Sequence, residues 1–153
     1  MQACCRGRCT GDRPLAKKSC GGIILTAMID RERQIAYWRA GAAEDWAVSL
    51  ELLSHKRVRH SLFFAHLALE KALKGHVCRV TNNLAPRTHN LVRLAEAAGL
   101  ELSPEQVDVL ADMNEFNLEG RYPVQAIPAP TVQQAREYVK RSEEVLTWLT
   151  RQL

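Results

Sequence analysis

Between Val58 and Val80, the residues Leu62, His66, Leu69, Leu73, Val77 and Val80 recur every three or four positions. On a 3.6-residue period they fall on one line along about six turns of helix. An apolar line of that length must be covered by several other elements, so this segment is expected at the centre of the fold. The rest of the chain favours helices as the cover. Only 6% of its residues are aromatic, β-branched runs are scarce, and Ala, Leu, Glu, Arg and Gln are abundant. With 153 residues, 46% of them apolar, the chain has the length of one domain and enough apolar surface for a core. The fold class expected is all-α.

Four further segments carry helical patterns. From Arg33 to Ser54, Ile35, Trp38, Ala42, Trp46, Leu50 and Leu53 keep helical spacing. Thr88 is read as the N-cap of a short helix running to Ala98, with Gly99 as its C′ residue. Ser103-Pro104-Glu105-Gln106 reads as a capping box with proline at the first helical position, opening a helix that carries Val107, Leu110, Ala111 and Phe116 and fades by Gly120. Thr131 and Gln134 form a second capping box, after which Val132, Ala135, Val139, Ser142, Leu146, Leu149 and Leu153 make a nearly continuous seam. The expected architecture is an up-and-down bundle of four main helices plus one short helix. Before the last helix, Gly120, Pro123, Pro128 and Pro130 exclude regular helix, and the connection is longer than bundles ordinarily use.

The net charge of +4 is unevenly placed. Arg6, Arg8, Arg13, Lys17 and Lys18 stand against Asp12 in residues 1–27, leaving sixteen basic and sixteen acidic residues from Met28 onward. A neutral bundle gives no electrostatic footprint for nucleic acid, so phosphate binding would need a few placed residues. Cys4, Cys5, Cys9 and Cys20 also lie in this leader. Cys5 and Cys9 have the spacing of half a zinc site, but no second pair or nearby histidine completes it. The run Gly21–Ala27 is short for a signal-peptide core, and no stretch approaches the roughly 20 apolar residues of a membrane span. The division expected is a disordered or mis-started leader over 1–27 and a cytoplasmic helical domain over 28–153.

The chain has no glycine-rich phosphate loop, G-x-S-x-G, H-E-x-x-H or calcium loop. Its candidate groups are placed polar residues. Glu70 and Lys74 are four apart on the central helix, readable as an ion pair, while Lys71 points farther out; either lysine is also a phosphate ligand by chemistry. His66 lies on the apolar line, as a core histidine would, whereas His60 and His76 fall nearer the polar flank. His89 opens the short helix and is read as a cap, a packing residue, or a base. In the proline-studded loop, Arg121 could fork onto a phosphate or onto the last carbonyls of its helix, with Tyr122 stacking beside it.

Glu70-Lys71-Ala72-Leu73-Lys74, then Thr88-His89-Asn90-Leu91, then Arg121-Tyr122-Pro123, together with Trp38, Ala42, Asp45 and Leu52-Leu53, resemble the HEPN domain family over residues 33–153. The resemblance implies a dimerising helical bundle, a nucleotide- or RNA-related role, and partnership with a small nucleotidyltransferase in prokaryotic two-gene, toxin–antitoxin-like systems. It carries over Glu70, Lys71, Lys74 and Tyr122 as nucleotide- or phosphate-binding candidates and His89 and Arg121 as catalytic ones, with no metal and no cofactor. Many HEPN ribonucleases are metal-independent and place an arginine, four to six intervening residues and then a histidine late in the bundle. Here no histidine follows Arg121, and the only such spacing, Arg59 to His66, lies in the central helix.

Three readings follow: a dimeric binding subunit of a nucleotidyltransferase; a metal-independent ribonuclease toxin using Arg121 and His89; and a self-associating scaffold without catalysis. Under the division at Met28, a chain starting there melts at the same temperature and associates to the same extent as the full chain, as calorimetry and light scattering would show.

Overall fold

The structure is a computed structural model that describes residues 30–121 and 128–153, the side chains of 118–121 excepted. Its elements are α1 (Arg31–Ser54), α2 (Val58–Thr81), α3 (Leu91–Ala97), α4 (Pro104–Arg121) and α5 (Val132–Arg151). Among the described residues there is no strand, and the architecture is an all-α bundle of four long helices plus the short α3.

Helix α2 is central and covered on most of its surface: fifteen of its 24 residues are buried. It packs against each of the other four helices. Leu62, Leu69 and Leu73 are fully buried, as are Leu91 and Leu94 of α3, Leu110 and Met113 of α4 and Leu149 of α5. Helix α1 lies along α2 through Ile35, Ala42, Asp45 and Ser49, and Ser49 Oγ donates to Ser61 O at 2.8 Å. The α1–α2 turn passes through Lys56 at φ 59°, and α2 ends at Asn82 in the left-handed region, φ 53°.

Several helix starts follow their capping chemistry. Gln106 N bonds Ser103 Oγ while Ser103 N bonds Gln106 Oε1, and Thr131 with Gln134 makes the same reciprocal pair. Helix α1 begins two residues earlier than its apolar spacing suggests, because Asp30 accepts from Arg33 N as its N-cap. The cap of α3 is Asn90, not Thr88; Asn90 accepts from Arg93 N, and Thr88 Oγ1 accepts from Asn90 N instead. Gly99 follows α3 at φ 62°, as a C′ glycine should. Seven residues are too few to hold a helix alone. Helix α3 is fixed by burial of Leu91 and Leu94 and by Leu91 N donating to Asn114 Oδ1 of α4 at 2.8 Å.

Some stripe positions belong to solvent: Leu50, Val80 and Val107 are exposed. The opposite correction applies to His76, expected near the polar flank but fully buried. Its Nε2 donates to Leu149 O at 2.9 Å, tying α2 to α5, and its Nδ1 accepts from Arg79. Burial pushes its pKa below 6.5, with the Arg79 charge adding to this, against the Leu149 bond. A histidine held neutral in the fold and free to charge in the unfolded chain supports the fold fully above pH 6.5 and progressively less below it. The urea midpoint should therefore fall between about pH 7.5 and 5.5, and should fall less in His76→Gln.

Candidate functional site

A carboxylate on a core helix needs partners for its charge, and Glu70, 4% exposed, has two that bond it and a third group close by. Lys74 Nζ, one turn along α2, donates to Oε1 at 2.7 Å. His89 Nδ1 stands 3.1 Å from Oε1 and 3.0 Å from Oε2. His66, one turn back, uses Nδ1 to donate to Met113 O of α4 at 3.0 Å, and its Nε2 sits 3.4 Å from Glu70 Oε2, outside hydrogen-bond alignment. Burial pushes the Glu70 carboxyl upward, but its contacts with His66, Lys74 and His89 outweigh that and hold it at about 2, down from 4.5. The carboxylate is therefore ionised throughout the physiological range.

The lysines divide around it. Lys74 is buried, with Nζ on Glu70 and 5.3 Å from the centroid of the Trp38 ring. Lys71, half-buried, reaches α1 instead, where Nζ meets Asp45 Oδ2 at 2.7 Å and lies 3.4 Å from Gly41 O. Gly41 leaves room for it: a Cβ there would lie 3.1 Å from Lys71 Cδ. Both lysines are thus matched to carboxylates within the fold.

His89 is the group the network presents. Facing two carboxylate oxygens, Nδ1 must be the donor, so in the neutral ring Nε2 carries the lone pair. A carboxylate behind an imidazole orients it and stabilises its protonated form, the arrangement a general base uses. The ring is 42% exposed, in contrast to the buried carboxylate behind it. It lines a cavity of about 210 Å³ together with Asn90, Asn114 and Asn117.

Of the six candidate residues, the structure brings Glu70, Lys74 and His89 into one cluster and places Lys71 in a separate pair with Asp45. The Arg121 backbone closes α4, four residues after Asn117; its side chain, and all of Tyr122, lie outside the described residues. His66 is fully buried, as a core histidine on the apolar line should be, and no sequence motif marks Asn114 or Asn117. Asn114 and Asn117 are three apart, with Arg121 four beyond, a polar strip on a helix otherwise read for its apolar face. Among the described residues, no three His, Cys, Asp or Glu side chains are grouped to hold a metal ion, and no helix is long and apolar enough to cross a membrane.

A family model for the HEPN domain matches residues 35–153, and the chain belongs to that family. Its fold is similar to that of TT1696 from Thermus thermophilus, with 21% identity over 78% of this chain and 98% of that one and a TM-score of 0.66. It is also similar to ST0689, an archaeal HEPN homologue, with 22% identity over 77% and 96% of the two chains and a TM-score of 0.60. No curated protein matches the chain.

If Glu70 anchors the cluster, Glu70→Gln leaves Lys74 buried without its counter-charge and lowers stability by about 3–5 kcal/mol. Adding Lys74→Met should recover part of that loss, a coupling readable in urea denaturation. Because the Glu70 pKa is depressed on folding, its contribution is complete above 4.5 and is lost as pH falls toward about 2, a limb that Glu70→Gln should lack.

Proposed function

We propose that this HEPN protein is a nucleotide- or RNA-binding subunit that forms a homodimer and partners a small nucleotidyltransferase in a two-gene, toxin–antitoxin-like system in the cytoplasm. The observation that carries the binding role is the Glu70–His89 pair: a buried, ionised carboxylate fixes one nitrogen of a half-exposed imidazole that lines a cavity with three asparagines. Arg121, at the end of the helix that supplies Asn114 and Asn117, is the candidate phosphate ligand, with Tyr122 beside it in sequence. Lys71 and Lys74 support phosphate binding indirectly, by balancing Asp45 and Glu70. The partnership and the dimer are supported by membership of the HEPN family.

The full chain should bind nucleoside monophosphates or short RNA in calorimetry, and His89→Ala and Arg121→Ala should each weaken binding about ten-fold, the loss of one charge-assisted or strong hydrogen bond. Unchanged affinity in both variants would remove the site. Failure to co-purify with the nucleotidyltransferase encoded next to it would remove the partner.

The same pair also favours a second reading, a metal-independent ribonuclease in which His89 is the base or acid and Arg121 stabilises the phosphate. On that reading the chain cuts RNA in EDTA, and His89→Ala slows cutting by about 100-fold or more. RNA left intact in EDTA, or cut equally fast by His89→Ala, excludes this second reading.

A further inference from the structure

Beside the start of α4 lies a cavity of about 460 Å³, lined chiefly by Val92 and Glu96 of α3, Leu100, Glu101 and Leu102 of the α3–α4 connection, and Val107 of α4. Val92, Leu100 and Leu102 pack against the core yet stay only half-buried, and Val107 is 37% exposed. Apolar surface is thus carried from the core out to solvent at this hollow.

Its charge has one sign. Glu96 and Glu101 are exposed in the lining, and neither carboxylate is paired with a base among the described residues. Glu96 lies in the last turn of α3, where the helix dipole disfavours a negative charge, so helix stabilisation does not account for it. Exposed Glu105 and Asp108 continue the acidic surface along the first turns of α4. From Leu94 to Gly120 the chain has seven acidic residues and no Lys, Arg or His. Asp112 is neutralised by Arg141 of α5, and Arg93, the base next to this stretch in sequence, is absent from the lining.

An apolar hollow with a negative rim selects its occupant by both properties. The rim repels the phosphates of nucleic acid and the surface of anionic membranes. It attracts a helix with apolar anchors at i, i+3, i+4 and i+7 and with Lys or Arg on its flanks, whose long stems cover apolar surface while their charges reach the carboxylates. We infer that the hollow between α3 and the start of α4 is a docking groove for a basic amphipathic helix of a partner protein, with Val92, Leu100, Leu102 and Val107 as its floor and Glu96 and Glu101 as its charged rim. It shares no lining residue with the cavity beside His89, and the inference does not rest on the nucleotide- or RNA-binding role.

The full chain is titrated, by fluorescence anisotropy, with a labelled synthetic helix of about 18 residues that carries Leu along one stripe and Lys elsewhere. Comparison peptides have Glu in place of Lys, the same Leu and Lys residues scattered around the helix, or the sequence of residues 1–29 of this chain. The Leu–Lys helix should bind about ten-fold more tightly than each of the others, and more weakly as NaCl is added. It should shift the backbone amide NMR signals of Val92, Leu100, Leu102 and Val107 and leave that of Ala43 on α1 unmoved. Glu96→Gln combined with Glu101→Gln should weaken binding about ten-fold and flatten its salt dependence. Val107→Ser should weaken it about five-fold with little change in melting temperature, since the position is exposed. Glu44→Gln, at an exposed position of α1, should leave the affinity unchanged.

Equally tight binding of the Glu or scattered peptide, an equal loss in Glu44→Gln, or amide shifts confined to other surfaces overturns the groove. So does the absence of binding at millimolar peptide. Tighter binding of the peptide of residues 1–29 assigns the hollow to this chain's own leader and overturns the partner.

Discussion

One buried negative charge organises this domain. Glu70 sits on the helix that every other helix packs against, where an unpaired carboxylate would be costly, and its partners come from its own helix and from the residue preceding the α3 cap. Lys74 supplies the counter-charge, and His66 turns from the same carboxylate to the backbone of α4. Satisfying that charge ties the start of α3 to α2, and His66 beside it ties α2 to α4 through Met113 O. The cavity beside His89 inherits that placement: its lining comes from the start of α3 and one face of α4, the elements the carboxylate and its neighbours hold in register.

This also accounts for a seven-residue helix in a defined position. Alone, α3 lacks the length to outweigh the cost of nucleation. Here its first backbone donor is taken by Asn114, the ring just before its cap is held by Glu70, and its leucines enter the common core. The half-exposed ring of His89 thus rests on a buried carboxylate of the central helix rather than on a free loop.

The sequence made the architecture legible wherever one local rule acted alone. The capping boxes at Ser103 and Thr131, the C′ glycine at Gly99 and the seam of α5 all sit as their residues indicate. Legibility failed where the outcome depended on a distant partner. Thr88 and Asn90 are both good caps, and the helix starts after the one whose following N–H can reach Asn114. His76 looks peripheral by angle on its own helix and is buried because α5 covers it. In the candidate site, the Glu70–Lys74 spacing was readable, but a surface pair and a buried one look identical in sequence. The pairing of Glu70 with His89, nineteen residues on, required the packing of α3 against α2.

Lys71 illustrates a different property of the fold. Its stem crosses α1 over Gly41, which has no side chain to obstruct it, and ends on Asp45. Alanine at 41 would favour the helix by about 1 kcal/mol, yet its methyl would press on the lysine stem that bridges the two helices. Substitutions at 41, 45 and 71 are therefore not independent, and each is tolerated according to the occupants of the other two. The three positions thus form one coupled unit, and shortening Lys71 or removing Asp45 relaxes the constraint that keeps position 41 without a side chain.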